Sequence, residues 1–117
     1  MNVKNKHRAI AIDFDGTITQ ASTYPMISPI RPYAAEVINA LQENGYYCYL
    51  WTCRHGTSLT NAIQWLKSNG IELDGYNSGP CTGSPKLVAD VYIDDAAYPN
   101  NGTIDWLEIA KYFGISI

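Results

Sequence analysis

The stretch Ala9-Ile10-Ala11-Ile12-Asp13-Phe14-Asp15-Gly16-Thr17-Ile18-Thr19 governs how the rest of the chain is read. Four apolar residues run without interruption and stop at an aspartate. A strand buried on both faces of a parallel sheet has this composition, whereas a half-exposed strand alternates. Two carboxylates then flank Phe14, and Gly16 lets the backbone turn away from the strand end.

Working outward, residues 17–32 are irregular and carry prolines at 25, 29 and 32. Pro32 and Gly45 bracket a helix, because proline favours a first helical position and glycine a stop. Ala34, Val37, Ile38 and Leu41 give that helix one apolar face. Residues 46–51 are aromatic and β-favouring and end at Thr52, which makes a second buried strand. Ser58 is the expected N-cap of a second helix, whose stripe Leu59, Ala62, Ile63 and Leu66 closes at Gly70. Residues 71–76 suggest a short strand, 77–85 a loop rich in Gly, Ser and Pro, and 85–89 a helical turn. Val91-Tyr92-Ile93 is the last strand, stopping at Asp94-Asp95. A loop over 98–102 and an amphipathic helix over 104–113 complete the chain.

Strand alternating with helix predicts an α/β fold, a parallel sheet with helices on both faces. In such sheets ligands collect in the crevice beyond the carboxyl ends of the strands. Asp13, Thr52, Asp94 and Asp95 all fall just there, so the fold should gather them although they are distant in sequence.

With 117 residues, 46% of them apolar and 16% charged, the chain fits a single domain spanning 1–117 with a real core. The net charge of −3, from 8 basic against 11 acidic residues, gives no global reason to expect nucleic-acid binding. Lys4, Lys6, His7 and Arg8 read as a solvated leader. Cys48, Cys53 and Cys81 are an odd count without paired spacing, which argues against a disulfide framework or a structural zinc site and for a reducing cytoplasm. The apolar run after the basic start is too short for a signal peptide or a membrane span.

An isolated Asp-x-Asp often only caps a turn. The full string after a buried strand supports more. A strand-end carboxylate at Asp13 can face a phosphate whose oxygens are cradled by nearby backbone N–H groups. Asp13 would attack phosphorus to form an aspartyl-phosphate. Asp15 would protonate the leaving oxygen and then deprotonate the hydrolytic water.

The string from Asp13 to Thr19 resembles the first motif of the haloacid dehalogenase-like superfamily, and three further motifs follow in the family's order along nearly the whole chain. Thr52 looks like the hydroxyl of the second motif, which hydrogen-bonds the transferring phosphoryl group. Lys86, in Ser84-Pro85-Lys86, looks like the third-motif lysine that holds nucleophile and phosphate together. Asp94-Asp95 looks like the acidic pair that binds Mg²⁺. The resemblance implies a three-layer, Rossmann-like fold and a Mg²⁺-dependent phosphomonoester hydrolase. Asp13, Asp15 and Lys86 would be catalytic, and Asp13, Asp94, the Asp15 carbonyl and Asp95 would hold the metal.

The chemistry of the residues supports this. Four carboxylates in one crevice, with Lys86 as the only motif cation, repel one another and a phosphate unless a divalent ion sits among them. Carboxylate oxygens suit octahedral Mg²⁺.

Thr52, Cys53 and Arg54 are placed together on the substrate side. Arg54 is expected either to clamp a second phosphate, a carboxylate or a sugar hydroxyl, or to pair with a surface carboxylate. Cys53 reads as a packing residue rather than a nucleophile. Asp90 suits a turn or cap, Trp65 and Trp106 suit the core, and Tyr24 and Tyr98 lie in loops expected to border the crevice.

Family members often insert a cap domain, but the connections here are used up by the core fold, which resembles the capless branch. Water exclusion would then fall to the 17–32 flap, a large substrate or a second copy in a homo-oligomer. Nucleotide, sugar phosphate, phosphoprotein and polynucleotide end all remain candidate substrates, with nucleic acid weakly disfavoured by the charge. The alternatives are a receiver-like regulatory module and a non-catalytic phosphate and Mg²⁺ binder. Receivers place adjacent acids early, whereas here Asp-x-Asp comes first and Asp-Asp last.

Overall fold

The computed structural model describes residues 8–78, 89–94 and 104–117. Its elements run β1 (Ala9–Ile12), α1 (Ala34–Glu43), β2 (Tyr47–Thr52), α2 (Gly56–Ser68), β3 (Gly75–Ser78), β4 (Val91–Ile93) and α3 (Trp106–Tyr112). The four strands form one sheet in the order β3-β2-β1-β4, every pair parallel. The chain is thus α/β with a four-stranded parallel sheet and three helices among the described residues.

The apolar composition of β1 follows from its place. It is paired on both edges, with β2 through Ala9↔Tyr47 to Ile12↔Leu50 and with β4 through Ile10↔Val91 to Ile12↔Ile93. Ile10, Ala11 and Ile12 are accordingly buried. On β2 only every second residue is buried, Cys48, Leu50 and Thr52, with Tyr47, Tyr49 and Trp51 half-exposed between them. Ala34, Val37, Ile38 and Leu41 are the buried face of α1, which packs against β2 and against α3. Together with Ile10, Ile12, Leu50, Leu66 and Ile109 they form one core cluster.

Helix and strand ends depart from the sequence expectation in informative ways. Helix α1 starts two residues beyond Pro32, after Tyr33 takes a left-handed conformation (φ 66°) and the Ala34 N–H donates to the Arg31 carbonyl. Helix α2 starts at Gly56, with His55 rather than Ser58 as its N-cap. Ser58 is the reciprocal partner instead: the His55 N–H donates to Ser58 Oγ at 3.2 Å, and the Ser58 hydroxyl donates to the His55 carbonyl at 2.7 Å.

Strand β3 begins at Gly75, not at residue 71. Asp74 accounts for the shift, because its N–H donates to the Cys48 carbonyl and its carboxylate accepts from the Cys48 N–H, both at 2.8 Å. A side chain thus stands in for one rung of the ladder. Ile71 and Leu73 are buried but lie in the irregular lead-in.

Asp90 has the structural role expected of it, at a bend and as a cap, but for a strand rather than a helix. Its carboxylate accepts from the Ala9 N–H at 2.6 Å while its own N–H donates to the Ala9 carbonyl at 2.8 Å, which fastens the start of β4 to the start of β1. Of the expected loop over 77–85, Asn77 and Ser78 belong instead to β3; its remainder, the expected helical turn over 85–89 except Ala89, the loop over 98–102, and Lys4, Lys6, His7, Cys81 and Tyr98 lie outside the described residues. No helix among the described residues is long and apolar enough to cross a membrane.

Candidate active site

The chain moves from β1 outward to β2 and β3, and β4 then lies on the other side of β1, so strand order reverses between β1 and β4. Ligand crevices of open α/β sheets form at such reversals. Asp13 and Asp94 each follow the last paired residues, Ile12 and Ile93. The Asp13 N–H extends the ladder by donating to the Ile93 carbonyl at 3.0 Å. Parallel neighbours are about 4.8 Å apart, so the register sets Asp13 and Asp94 side by side on one face, both half-buried.

Beyond Asp13 the backbone turns tightly. The N–H groups of Thr17, Ile18 and Thr19 all point at the Phe14 carbonyl, and Gly16 holds φ 81°, a left-handed conformation that glycine adopts freely. Thr19 Oγ1 accepts from the Gly16 N–H at 3.0 Å and bridges to the Ala21 carbonyl at 3.1 Å, which explains its burial. The Trp106 indole N–H reaches across from α3 to the Thr17 carbonyl at 3.0 Å. Trp106 is therefore a core residue, as expected, and also a tether for the turn. Trp65 is half-buried and meets Phe14 edge-on at 5.4 Å between ring centroids.

A cavity of about 250 Å³ opens at these strand ends, lined by Asp13, Asp15, Ser22, Tyr24, Thr52, Cys53 and Arg54. The structure thus brings Asp13, Asp15 and Thr52 together, as the sequence predicted. Thr52 is buried at the end of β2, and its hydroxyl oxygen accepts from the Arg54 N–H at 3.1 Å. No acceptor for its hydroxyl proton is found among the described residues. Lys86 and Asp95 lie outside the described residues.

Arg54 is 1% exposed and pairs with a carboxylate, as one of the two expectations had it, but with one that lines the cavity rather than the surface. Its Nε donates to Asp15 Oδ2 at 2.8 Å and its Nη2 to Asp15 Oδ1 at 2.7 Å, a bidentate pair. Nη1 and Nη2 also donate to the carbonyls of Pro25 and Met26, at 3.3 and 2.9 Å. The guanidinium lies 5.1 Å from the ring centroids of both Phe14 and Tyr24. The buried charge is therefore matched by a carboxylate, two carbonyls and two π faces.

Cys53 also departs from expectation. It is exposed rather than a packing residue, and it is disulfide-bonded. Cys48 is a buried thiol. An odd count of cysteines in the sequence hides this, because spacing alone does not show which pair the fold brings together.

No group of three or more His, Cys, Asp or Glu side chains among the described residues is arranged to hold a metal. Asp13 and Asp94 nonetheless fit Mg²⁺ chemically. That ion is usually held by one or two carboxylates, with water and phosphate oxygens filling the remaining positions. The Asp15 side chain is turned to Arg54, which leaves its backbone carbonyl as the group it can offer an ion.

Sequence reasoning passed over Ser22, which lines the cavity, and the Arg54–Asp15 pair. Nothing in the string Thr52-Cys53-Arg54 marks which acid the arginine faces. Only the parallel register of β1 and β2, which continues Ile12↔Leu50 to set residues 13–15 beside 51–53, supplies that signal.

No family model and no curated protein matches the chain. Among solved structures, a crystal structure of a target protein from Vibrio cholerae is 23% identical with TM-score 0.53, covering 92% of this chain and 97% of that one. That likeness shows a shared fold. A conserved protein from Bacteroides thetaiotaomicron is similar with TM-score 0.76 and 36% identity, over 91% of this chain and 88% of its own. An identity of that size across nearly all of both sequences places the chain in the same family as the conserved Bacteroides thetaiotaomicron protein.

Proposed function

We propose that the chain is a Mg²⁺-dependent phosphomonoester hydrolase of the haloacid dehalogenase-like type, with the three-layer, Rossmann-like core of that superfamily and no cap. The observation that carries this reading is the convergence of Asp13, Asp15 and Thr52 on one cavity at the strand reversal, with Asp94 in register beside Asp13. Asp13 is the nucleophile: its carboxylate forms a bond to phosphorus, the leaving oxygen departs with a proton from Asp15, and water then releases phosphate from Asp13. Thr52 donates its hydroxyl to a non-bridging phosphoryl oxygen. Arg54 fixes the direction in which Asp15 acts and is a positioning residue. Asp13 and Asp94 would hold Mg²⁺, which supplies charge neutralisation for the transferring group. Lys86 and Asp95 belong to the same proposal through the motif order.

Hydrolysis of a generic chromogenic phosphate by purified protein, assayed with and without Mg²⁺, tests the reading. Catalytic turnover that disappears in Asp13→Asn supports it. A single stoichiometric phosphorylation without turnover points to the receiver-like alternative, and absence of both removes the enzymatic reading.

A further inference from the structure

The cavity has an apolar lip that the proposed chemistry does not use. Residues 19–30 leave the domain and return as a closed excursion: Thr19 and Ile30 form an antiparallel bridge, and the Gln20 N–H donates to the Pro29 carbonyl at 2.8 Å. Arg31 fastens the base, its Nη2 donating to the Gly16 carbonyl at 2.7 Å. The tip carries Tyr24, 55% exposed, and Met26, 71% exposed. Singly exposed apolar side chains are ordinary, so it is the placement of Tyr24 at the cavity that matters.

The tip is held rather than loose. Arg54 donates to the carbonyls of Pro25 and Met26, and the Met26 N–H and the Thr23 hydroxyl close a local turn at 2.9 and 3.2 Å. The Tyr24 ring lies against the Arg54 guanidinium, with 5.1 Å from that group to the ring centroid, and more than half of the residue still faces solvent. A ring so oriented, lining the same cavity as Asp13 and Thr52, offers a preorganised face to a flat group on the ligand.

Resting on the phosphatase reading for the phosphate end, we propose that Tyr24 selects phosphomonoesters whose alcohol portion carries an aromatic ring, by stacking that ring at the cavity lip. Such a ring comes either one sugar away from the phosphate, as in a nucleoside monophosphate, or directly attached, as in an aryl phosphate. The two sources share one contact and differ in reach.

Equilibrium binding to the Asp13→Asn variant in Mg²⁺, by calorimetry, separates this from the question of turnover. Two matched pairs are compared: adenosine 5′-monophosphate with ribose 5-phosphate, and phenyl phosphate with cyclohexyl phosphate. Base–aromatic stacking gives one member of a pair about a tenfold advantage. Tyr24→Ala should bring that ratio close to one, and Tyr24→Phe should keep it. The pair showing the gain identifies the ring's distance from phosphate. Equal binding within both pairs, or a ratio that survives Tyr24→Ala, overturns the proposal even if the protein hydrolyses phosphate esters. A ratio that obeys Tyr24 in a protein without turnover upholds ring recognition while the catalytic reading fails.

Discussion

Arg54 and Asp15 face each other through two nearly parallel hydrogen bonds of 2.8 and 2.7 Å, with the guanidinium 1% and the carboxylate 15% exposed. The pair joins the end of β2 to the turn after β1, and through the carbonyls of Pro25 and Met26 it also fixes the cavity lip. Each Asp15 oxygen retains a second lone-pair direction for a proton, a leaving group or a water.

Arg54→Lys tests this link. Lysine keeps the positive charge but lacks the rigid fork, so Asp15 would lose its fixed direction. Misplacement of a catalytic group by about 1 Å can cost ~10²-fold, and turnover should fall by that order with KM little changed. Arg54→Ala leaves a mostly buried carboxylate unmatched and should cost about 3–5 kcal/mol of stability, read by denaturant unfolding. An Arg54→Lys enzyme with unaltered kcat and a raised KM would instead make Arg54 a substrate ligand.

Trp106→Phe keeps most of the buried ring and removes the indole N–H that satisfies the Thr17 carbonyl. A buried acceptor left without its partner costs about 1–3 kcal/mol. Unfolding at lower denaturant with a smaller kcat loss than Arg54→Lys is the expected result. Equal effects on stability and kcat would place the tether in the catalytic step.

The strands and their order of use were readable because β1 and β4 carry unbroken apolar runs that stop at Asp13 and Asp94, and the parallel register then fixes what lies side by side. The first residues of elements were less readable. Asp74 replaces a ladder rung with its side chain, which moves the start of β3 to Gly75, and Ser58 works from inside α2 rather than at its cap. The second is a local choice of cap between His55 and Ser58, but the first depends on which groups β2 presents to residue 74, a tertiary fact. The same reason hid Arg54, whose partner is 39 residues away along the chain, and the disulfide at Cys53. Asp13, Asp15 and Thr52 were legible because the motif and the strand ends agree.

Asp13→Asn preserves the shape of the strand end and removes the attacking oxygen charge. Turnover should fall by orders of magnitude while the unfolding midpoint changes little. A substantial residual rate in a clean preparation would take the nucleophile role from Asp13.

Metal removal is the next test, motivated by Asp13 and Asp94 in register at adjacent strand ends. Chelation should abolish activity and Mg²⁺ should restore it, whereas Ca²⁺ should restore little. Calcium takes more ligands at longer distances and would disturb the in-line geometry at phosphorus. Undiminished hydrolysis after thorough chelation would remove Mg²⁺ from the proposal.

Asp15→Asn separates an enzyme from a switch. The substituted side chain would still meet Arg54 through its amide oxygen, so the turn and the Asp13 position should persist. On the proposed mechanism, what is lost is the donor that would protonate the leaving oxygen and the base that would activate water. General acid–base catalysis contributes ~10²–10⁴-fold, and turnover of an alkyl phosphate should fall by that order. Substrates with good leaving groups need little protonation, so they should still phosphorylate Asp13 while hydrolysis stalls. A phospho-enzyme should then accumulate, seen by mass spectrometry as one added phosphoryl group that hydroxylamine removes. If Asp15→Asn leaves turnover of the alkyl phosphate unchanged, Asp15 is not the acid–base group, and its bidentate grip by Arg54 serves the fold of the turn alone.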